Sequence, residues 1–197
     1  MSKSLKTEDF KVAATLLSVD MATILAVAEV ESDGSGFFID GQPKILFEAH
    51  AFSKRTGGIY DRTHPNLSSK TWNRKLYLRG VKEHVRLAEA VKLDRHAALE
   101  SASWGMFQIM GYNYSRCGFD TLQQFVNSMY KSELAQLQAF CLLVKSMRLD
   151  DELQRGDFLA FATGYNGPRQ AENGYADKLY LAHNRHVAAL DSKRRLV

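Results

Sequence analysis

Glu31 stands where a carboxylate is costly. It closes the apolar run Met21-Ala-Thr-Ile-Leu-Ala-Val-Ala-Glu-Val-Glu31 and is followed at once by Ser32-Asp-Gly-Ser-Gly36. With residues 20–31 as a helix and Ile24 at zero, Glu31 falls at about 340°, inside the stripe of Met21, Ile24, Val27 and Ala28. Glu29 falls at about 140°, at the edge of that stripe. Burial and the negative end of the helix macrodipole both disfavour the anion of a carboxyl so placed. A carboxyl that keeps its proton near neutral pH is what a general acid requires. A lone glutamate at a helix end is more often a solvated one, so the rest of the chain must supply the weight.

A partner is offered by Phe47-Glu48-Ala-His50. The stretch Phe37-Phe-Ile-Asp40-Gly41-Gln-Pro-Lys-Ile45-Leu-Phe47 reads as a β-hairpin, with Asp-Gly at a turn that needs positive φ. A hairpin returning from residue 36 brings Glu48 back towards the helix end, so that Glu31 and Glu48 flank one cleft. Two facing carboxyls are the equipment of glycosidic cleavage: one protonates the leaving oxygen, and the other activates water or stabilises the oxocarbenium ion. A surface pairing of Glu48 with His50 or a nearby Arg is an even competitor. Asp33 and Asp40 are rivals for the second role, although Asp40 is already explained by the turn.

Two further segments have binding chemistry. In Ser101-Ala-Ser-Trp104-Gly-Met-Phe-Gln108-Ile-Met-Gly111, glycines and small residues bracket an aromatic ring and an amide. A ring packs on the C–H face of a sugar, and an amide bonds N-acetyl and hydroxyl groups. Glu100 repeats the Glu-Ser pair after a shorter, less apolar run and is the weaker candidate. In Phe161-Ala-Thr-Gly-Tyr165-Asn-Gly-Pro168, Gly-Pro stops a helix and leaves Tyr165 and Asn166 at its end. The phenol is suited to orienting a carboxyl, and the amide to holding sugar or water.

Taken in order, Glu31-Ser32, Gly105-Met-Phe-Gln108 and Tyr165-Asn166 resemble the pattern of the goose-type lysozymes and lytic transglycosylases. The chain is more similar still to the phage N-acetylmuramidase endolysins of the lysozyme-like superfamily. The stretches that carry the likeness are Val30 to Phe37, Asp40 to His50, Glu100 to Gly111 and Gly164 to Pro168. It spans roughly residues 8–190. The resemblance implies a mainly α, α+β lysozyme-like fold that hydrolyses the β-1,4 bond between N-acetylmuramic acid and N-acetylglucosamine in peptidoglycan. It implies Glu31 as the acid, with Gln108, Tyr165 and Asn166 along the glycan groove; Glu48 and His50 fall in a matching stretch to which the resemblance gives no definite role. The residue readings add Ser32, His50 and Trp104 to the expected groove and Glu48 as the second carboxylate. The resemblance implies no metal and no cofactor, a monomer, and release from the host bacterial cytoplasm through a separate membrane-permeabilising protein. Many relatives carry a peptidoglycan-binding module ahead of the catalytic domain; the expectation here is a single catalytic domain over 1–197 without one. A transglycosylase shares the motif set but needs one Glu only, which acts on the muramoyl 6-hydroxyl and leaves a 1,6-anhydro end.

The elements that must position these residues are largely helical. Thr7-Glu8-Asp9 begins a helix that breaks near Ser18-Val19-Asp20 and restarts as the one ending at Glu31. After the hairpin, residues 49–55 are predicted helical up to Gly57-Gly58, and 58–80 form a long polar loop, functional or mobile. Helices are then predicted over 81–93, 95–102, a short piece at 104–110, 121–130, 132–148, 157–165 and 175–192. Asp94, Asp120 and Asp157 are placed to cap the helices that follow them.

At 197 residues and 22.2 kDa the chain has room for one sizeable core. Its composition, 45% hydrophobic and 24% charged, is that of an ordinary globular protein and excludes a disordered one. The one long apolar stretch, Val12 to Val30, is interrupted by Ser18, Asp20 and Glu29 and makes a poor membrane span, and no signal peptide is visible. A net charge of +4 and a pI near 9.0 favour polyanions weakly. A basic nucleic-acid or wall-binding protein without activity gains little support, because lysines and arginines are mixed with 22 acids rather than segregated. The cluster Lys193-Arg194-Arg195 reads as a solvated tail. Cys117 and Cys141 lack metal-ligand spacing and read as free thiols.

Overall fold

The helix that ends at Glu31 is capped by Asp20, whose carboxylate accepts the Thr23 amide at 2.6 Å. The computed structural model of the chain describes residues 3–32, 34–167 and 170–194. In it, α1 (Thr7–Leu17) ends at Ser18, which takes the left-handed conformation (φ 56), and α2 (Met21–Glu31) leaves at 105° to it. Ala22, Thr23, Ile24, Ala26, Val27 and Ala28 are all buried, so α2 is enclosed on nearly every side rather than along the single stripe expected. It packs between α1 and α11 (Tyr175–Arg194). Glu29 escapes the core by pairing with Arg185 and, at 2.9 Å, with His186 of α11, while Asp20 lies 3.6 Å from His183. Among the described residues no single helix is long and apolar enough to cross a membrane.

The Asp40-Gly41 turn forms as predicted. Gly41 has φ 79, Phe38 N donates to Gln42 O at 2.8 Å, and Phe37 bridges Pro43. The returning arm becomes β1 (Ile45–Phe47), but its ladder partner is a distant segment. Strand β2 (Ala102–Trp104) pairs antiparallel with β1, Ile45 opposite Trp104, and β3 (Ile109–Met110) pairs antiparallel with β2. The short helix expected over 104–110 is therefore corrected to a strand, a tight turn and a second strand. Gly105 (φ 71) and Gln108 (φ 48) both take left-handed backbone that no α-helix accommodates, and β1 needed a ladder partner.

The remaining elements are α3 (Ala49–Arg55), α4 (Lys82–Leu93), α5 (Arg95–Glu100), α6 (Leu122–Lys131), α7 (Glu133–Ser146), α8 (Asp150–Arg155), α9 (Phe158–Asn166) and α10 (Gln170–Asn173). Asp94 and Asp157 cap α5 and α9 as expected. Asp120 does not cap α6; Thr121 does, in a reciprocal box with Gln124. Neither α8 nor α10 was expected. Pro168 of the Gly-Pro stop, Asp33 and Arg195 lie outside the described residues. Cys117 and Cys141 are buried free thiols, and burial pushes both up to about 12.

The loop 58–80 carries a 3-10 turn at Arg74–Leu76 and is anchored through Glu83 of α4, which is fully buried. One Glu83 oxygen accepts the amides of Leu78 (2.6 Å) and Arg79 (2.9 Å); the other accepts Phe47 N of β1 (3.2 Å) and Arg86 Nη1 (2.8 Å). Arg86 also donates to the carbonyls of Phe47 and Asn66, each at 3.0 Å. This pair joins loop, sheet and helix with its donors and acceptors matched. Glu83→Ala leaves the Arg86 charge buried and unpaired, and is expected to destabilise the fold by about 3–5 kcal/mol in urea unfolding. A loss below about 1 kcal/mol would show that the pair is not the anchor described.

Candidate active site

A groove of about 650 Å³ opens at the C-terminal end of α2. One wall is Glu31 and Ser32. The opposite wall is the β2–β3 turn with Met106, Phe107 and Gln108, continued by Tyr112, Asn113 and Arg116. The floor comes from Leu143 of α7, from Met147 just after that helix, and from Tyr165 and Asn166 of α9.

Glu31 is held by Asn166, whose Nδ2 donates to Oε1 at 2.9 Å. Burial pushes its carboxyl up to about 7, against the smaller opposing pull of the Asn166 hydrogen bond, which favours the anion. Among the described residues lining the groove, Glu31 is the only carboxylate. The roles anticipated for the Tyr-Asn pair are exchanged: the amide holds the carboxyl, and the phenol belongs to the floor. The Tyr165 ring stacks on Phe161 (5.7 Å, 5°) and meets Phe140 edge-on, and burial with the nearby Glu31 raises its phenol well above the usual range.

Gln108 is fixed at both ends of its amide. Ser103 Oγ donates to Oε1 at 2.8 Å, and Nε2 donates to Gly105 O at 2.9 Å. Its left-handed backbone costs about 1 kcal/mol, a strain of the kind that gathers at functional sites. The turn is held from below by α7. Gln136 Oε1 accepts Met106 N at 2.7 Å, and Gln136 Nε2 donates to Met129 O at 2.8 Å. One turn earlier, Glu133 accepts Ser35 Oγ (2.9 Å), Gly36 N (2.8 Å) and Leu5 N (2.9 Å), and so fixes the segment after Glu31. A Cβ on Gly36 or Gly105 would lie 2.0 or 2.7 Å from Gln136, so only glycine allows both backbones this close.

The other residues singled out from sequence lie elsewhere. Trp104 is core, not groove: it is 1% exposed and its Nε1 donates to Leu99 O at 3.1 Å. As the middle of three antiparallel strands, β2 turns this ring into the interior, which corrects its place among the sugar contacts. Glu48 and His50 line an adjoining cavity of about 630 Å³ with Lys54, Arg55 and Glu100, and share Met110 and Tyr112 with the groove. There, Glu48 Oε2 accepts the Tyr77 hydroxyl and lies 3.2 Å from His50 Nδ1. Glu100 pairs with Arg55 (3.0 Å) and His96 (3.5 Å). Sequence reasoning passed over Tyr112, Asn113, Arg116, Met147 and Tyr175, none of which sits in a motif. An aromatic and a cation shortly after Gly111 were the only signal.

A family model described as N-acetylmuramidase matches residues 20–187 of the chain. None of the curated proteins matches it. Among solved structures, the chain is similar to the endolysin of Burkholderia AP3 phage, with 36% identity and a TM-score of 0.89 over 95% of this chain and 72% of that one.

The raised Glu31 carboxyl has a consequence for stability. Folded, it holds its proton to about pH 7; unfolded, it titrates near the ordinary 4.5. Between these values the folded state binds more protons, so the Glu31 contribution falls as pH rises through that window. The full loss is about 3 kcal/mol. Glu31→Gln should remove that slope, so urea midpoints of the two proteins measured at about pH 5 and pH 8 are expected to diverge, with the variant the more stable at the higher pH. Parallel profiles would mean that the carboxyl ionises as it does in solvent.

Proposed function

Because the chain belongs to the N-acetylmuramidase family, glycoside hydrolases that act on peptidoglycan, we propose that Glu31 is the general acid for the β-1,4 bond between N-acetylmuramic acid and N-acetylglucosamine. The single observation that carries this reading is a half-buried carboxyl, its proton retained to about pH 7, that lines a groove of about 650 Å³. Glu31 donates its proton to the glycosidic oxygen, and the bond from that oxygen to the muramoyl C1 breaks. Positive charge develops at C1. Asn166, bonded to Glu31, steadies the carboxylate that forms.

No second carboxylate faces Glu31 among the described lining residues, and Glu48 sits in the adjoining cavity. The second half of the reaction is therefore assigned to Glu31 and the substrate. The muramoyl 2-acetamido oxygen closes on C1 from the far face, and Glu31, now a base, takes a proton from the water that opens the resulting ring. Ser32, Gln108, Tyr165 and Asn166 shape the groove; Glu48 and His50 have no contact with the scissile bond in this reading. The same single-acid geometry favours a second reading, in which the muramoyl 6-hydroxyl replaces water and an anhydro end is released. The likeness to a phage endolysin supports a bacteriolytic enzyme that reaches the wall after release from the host cytoplasm, and we propose that it acts as a monomer.

Glu31→Gln is expected to abolish lysis of outer-membrane-permeabilised Gram-negative cells without lowering the thermal midpoint. Glu29→Gln, whose carboxylate faces α11, should do little. Full activity in Glu31→Gln would end the proposal. Mass spectrometry of digested sacculi should find products that have gained one water; products lighter by one water would establish the second reading instead. Asn166→Ala removes the bond that favours the Glu31 anion, so the alkaline limb of the pH–rate profile should move to higher pH. A limb that stays in place or moves down would show that Asn166 does not tune the acid.

A further inference from the structure

We propose that the adjoining cavity, lined by Glu48, His50, Lys54, Arg55, Glu100 and Tyr112, receives the stem peptide that the muramoyl sugar carries. The inference rests on the glycan-cleaving reading of the Glu31 groove and names a second part of the substrate for it.

Three observations carry it. The first is continuity. Met110 and Tyr112 line both the groove and this cavity, so a strand held against Glu31 lies beside it. In peptidoglycan the peptide leaves the muramoyl ring sideways, through the lactyl ether on O3, and needs space beside the sugar track rather than in line with it. The cavity, at about 630 Å³, is nearly as large as the groove itself.

The second is chemistry. Hydroxyl and acetamido groups are neutral, and the groove meets them mostly with aromatic, amide, aliphatic and thioether side chains, beside one acid, Glu31, and one cation, Arg116. The adjoining cavity instead holds charges of both signs within one space. A stem peptide is a zwitterion of the same kind, with several carboxylates and the ammonium of a diamino acid. Lys54 and Arg55 suit the carboxylates, and Glu48 suits the ammonium.

The third is the way the charges are held. Tyr77 donates to Oε2 of Glu48, whose side chain is only 15% exposed, His50 Nδ1 lies 3.2 Å from the same oxygen, and Oε1 retains its acceptor capacity. Arg55 is fixed by Glu100 at 3.0 Å and lies over the Tyr112 ring at 4.4 Å, so the wall between the two cavities is braced by a cation on the peptide side. Lys54 has no partner among the described residues and is exposed, the state of a cation that awaits its counter-ion.

The test compares kcat/KM on soluble uncross-linked glycan strands that carry stem peptides with the same strands after an amidase has removed the peptides. The wild-type protein is expected to prefer the peptide-bearing strands. Lys54→Glu should cut the ratio of the two values by about five- to tenfold. Lys11→Glu makes the same charge change on α1, outside the cavity, and should keep the wild-type ratio. A wild-type ratio near one, a Lys54→Glu ratio equal to the wild type's, or an equal fall in Lys11→Glu would each overturn the inference while leaving the glycan reading intact. Cleavage of neither substrate would overturn that reading and this inference with it.

Discussion

One turn of α7 holds the two walls of the groove in register. Glu133 gathers the segment after Glu31 through Ser35 and Gly36, and Gln136 gathers the opposite wall through Met106. Both side chains are buried, and their polar atoms are matched by backbone donors and acceptors, so neither segment can shift without leaving a group unpaired in the interior. Gly36 and Gly105 complete the arrangement by bringing two backbones against the same amide. Rigid placement of this kind is what lets an acid work, because misplacing reacting groups by about 1 Å costs roughly two orders of magnitude in rate.

The chemistry of Glu31 follows from its helix more than from its neighbours. Because α2 is apolar almost all round, it lies inside the molecule, and its last residue arrives at the groove with much of its hydration removed. Glu29, two residues earlier, meets α11 and is 45% exposed. The same helix thus produces one ordinary ion pair and one acid that resists ionising. The second costs stability wherever it would otherwise ionise.

Local patterns made much of this legible. Helical phase separated Glu31 from Glu29, the Asp-Gly turn was read from its residues, and of the three aspartates expected to cap helices Asp94 and Asp157 do so, while Asp120 yields to Thr121. What stayed hidden was set by pairing across long stretches of chain. The partner of β1 lies some 57 residues on, and without it residues 104–110 read as a helix and Trp104 as a surface ring. The hairpin likewise brings Glu48 back, but to the far side of Met110 and Tyr112, and no spacing rule distinguishes the two sides. Gln136 gave no signal, because its partners lie in loops whose need for an amide appears only when they are folded together.

The packing of α2 on α11 also fixes an order of events in time. His186, which pairs with Glu29, lies 157 positions further along the chain. A nascent chain emerging from a ribosome presents the apolar helix long before the helix that covers it has been made, and long-range closure of this kind is slow and exposed to aggregation. The environment that keeps the Glu31 proton in place therefore exists only once synthesis has passed α11. A partly made copy carries Glu31 as an ordinary carboxylate, ionised at neutral pH, and the carboxyl that keeps its proton arrives only when the fold has closed around it.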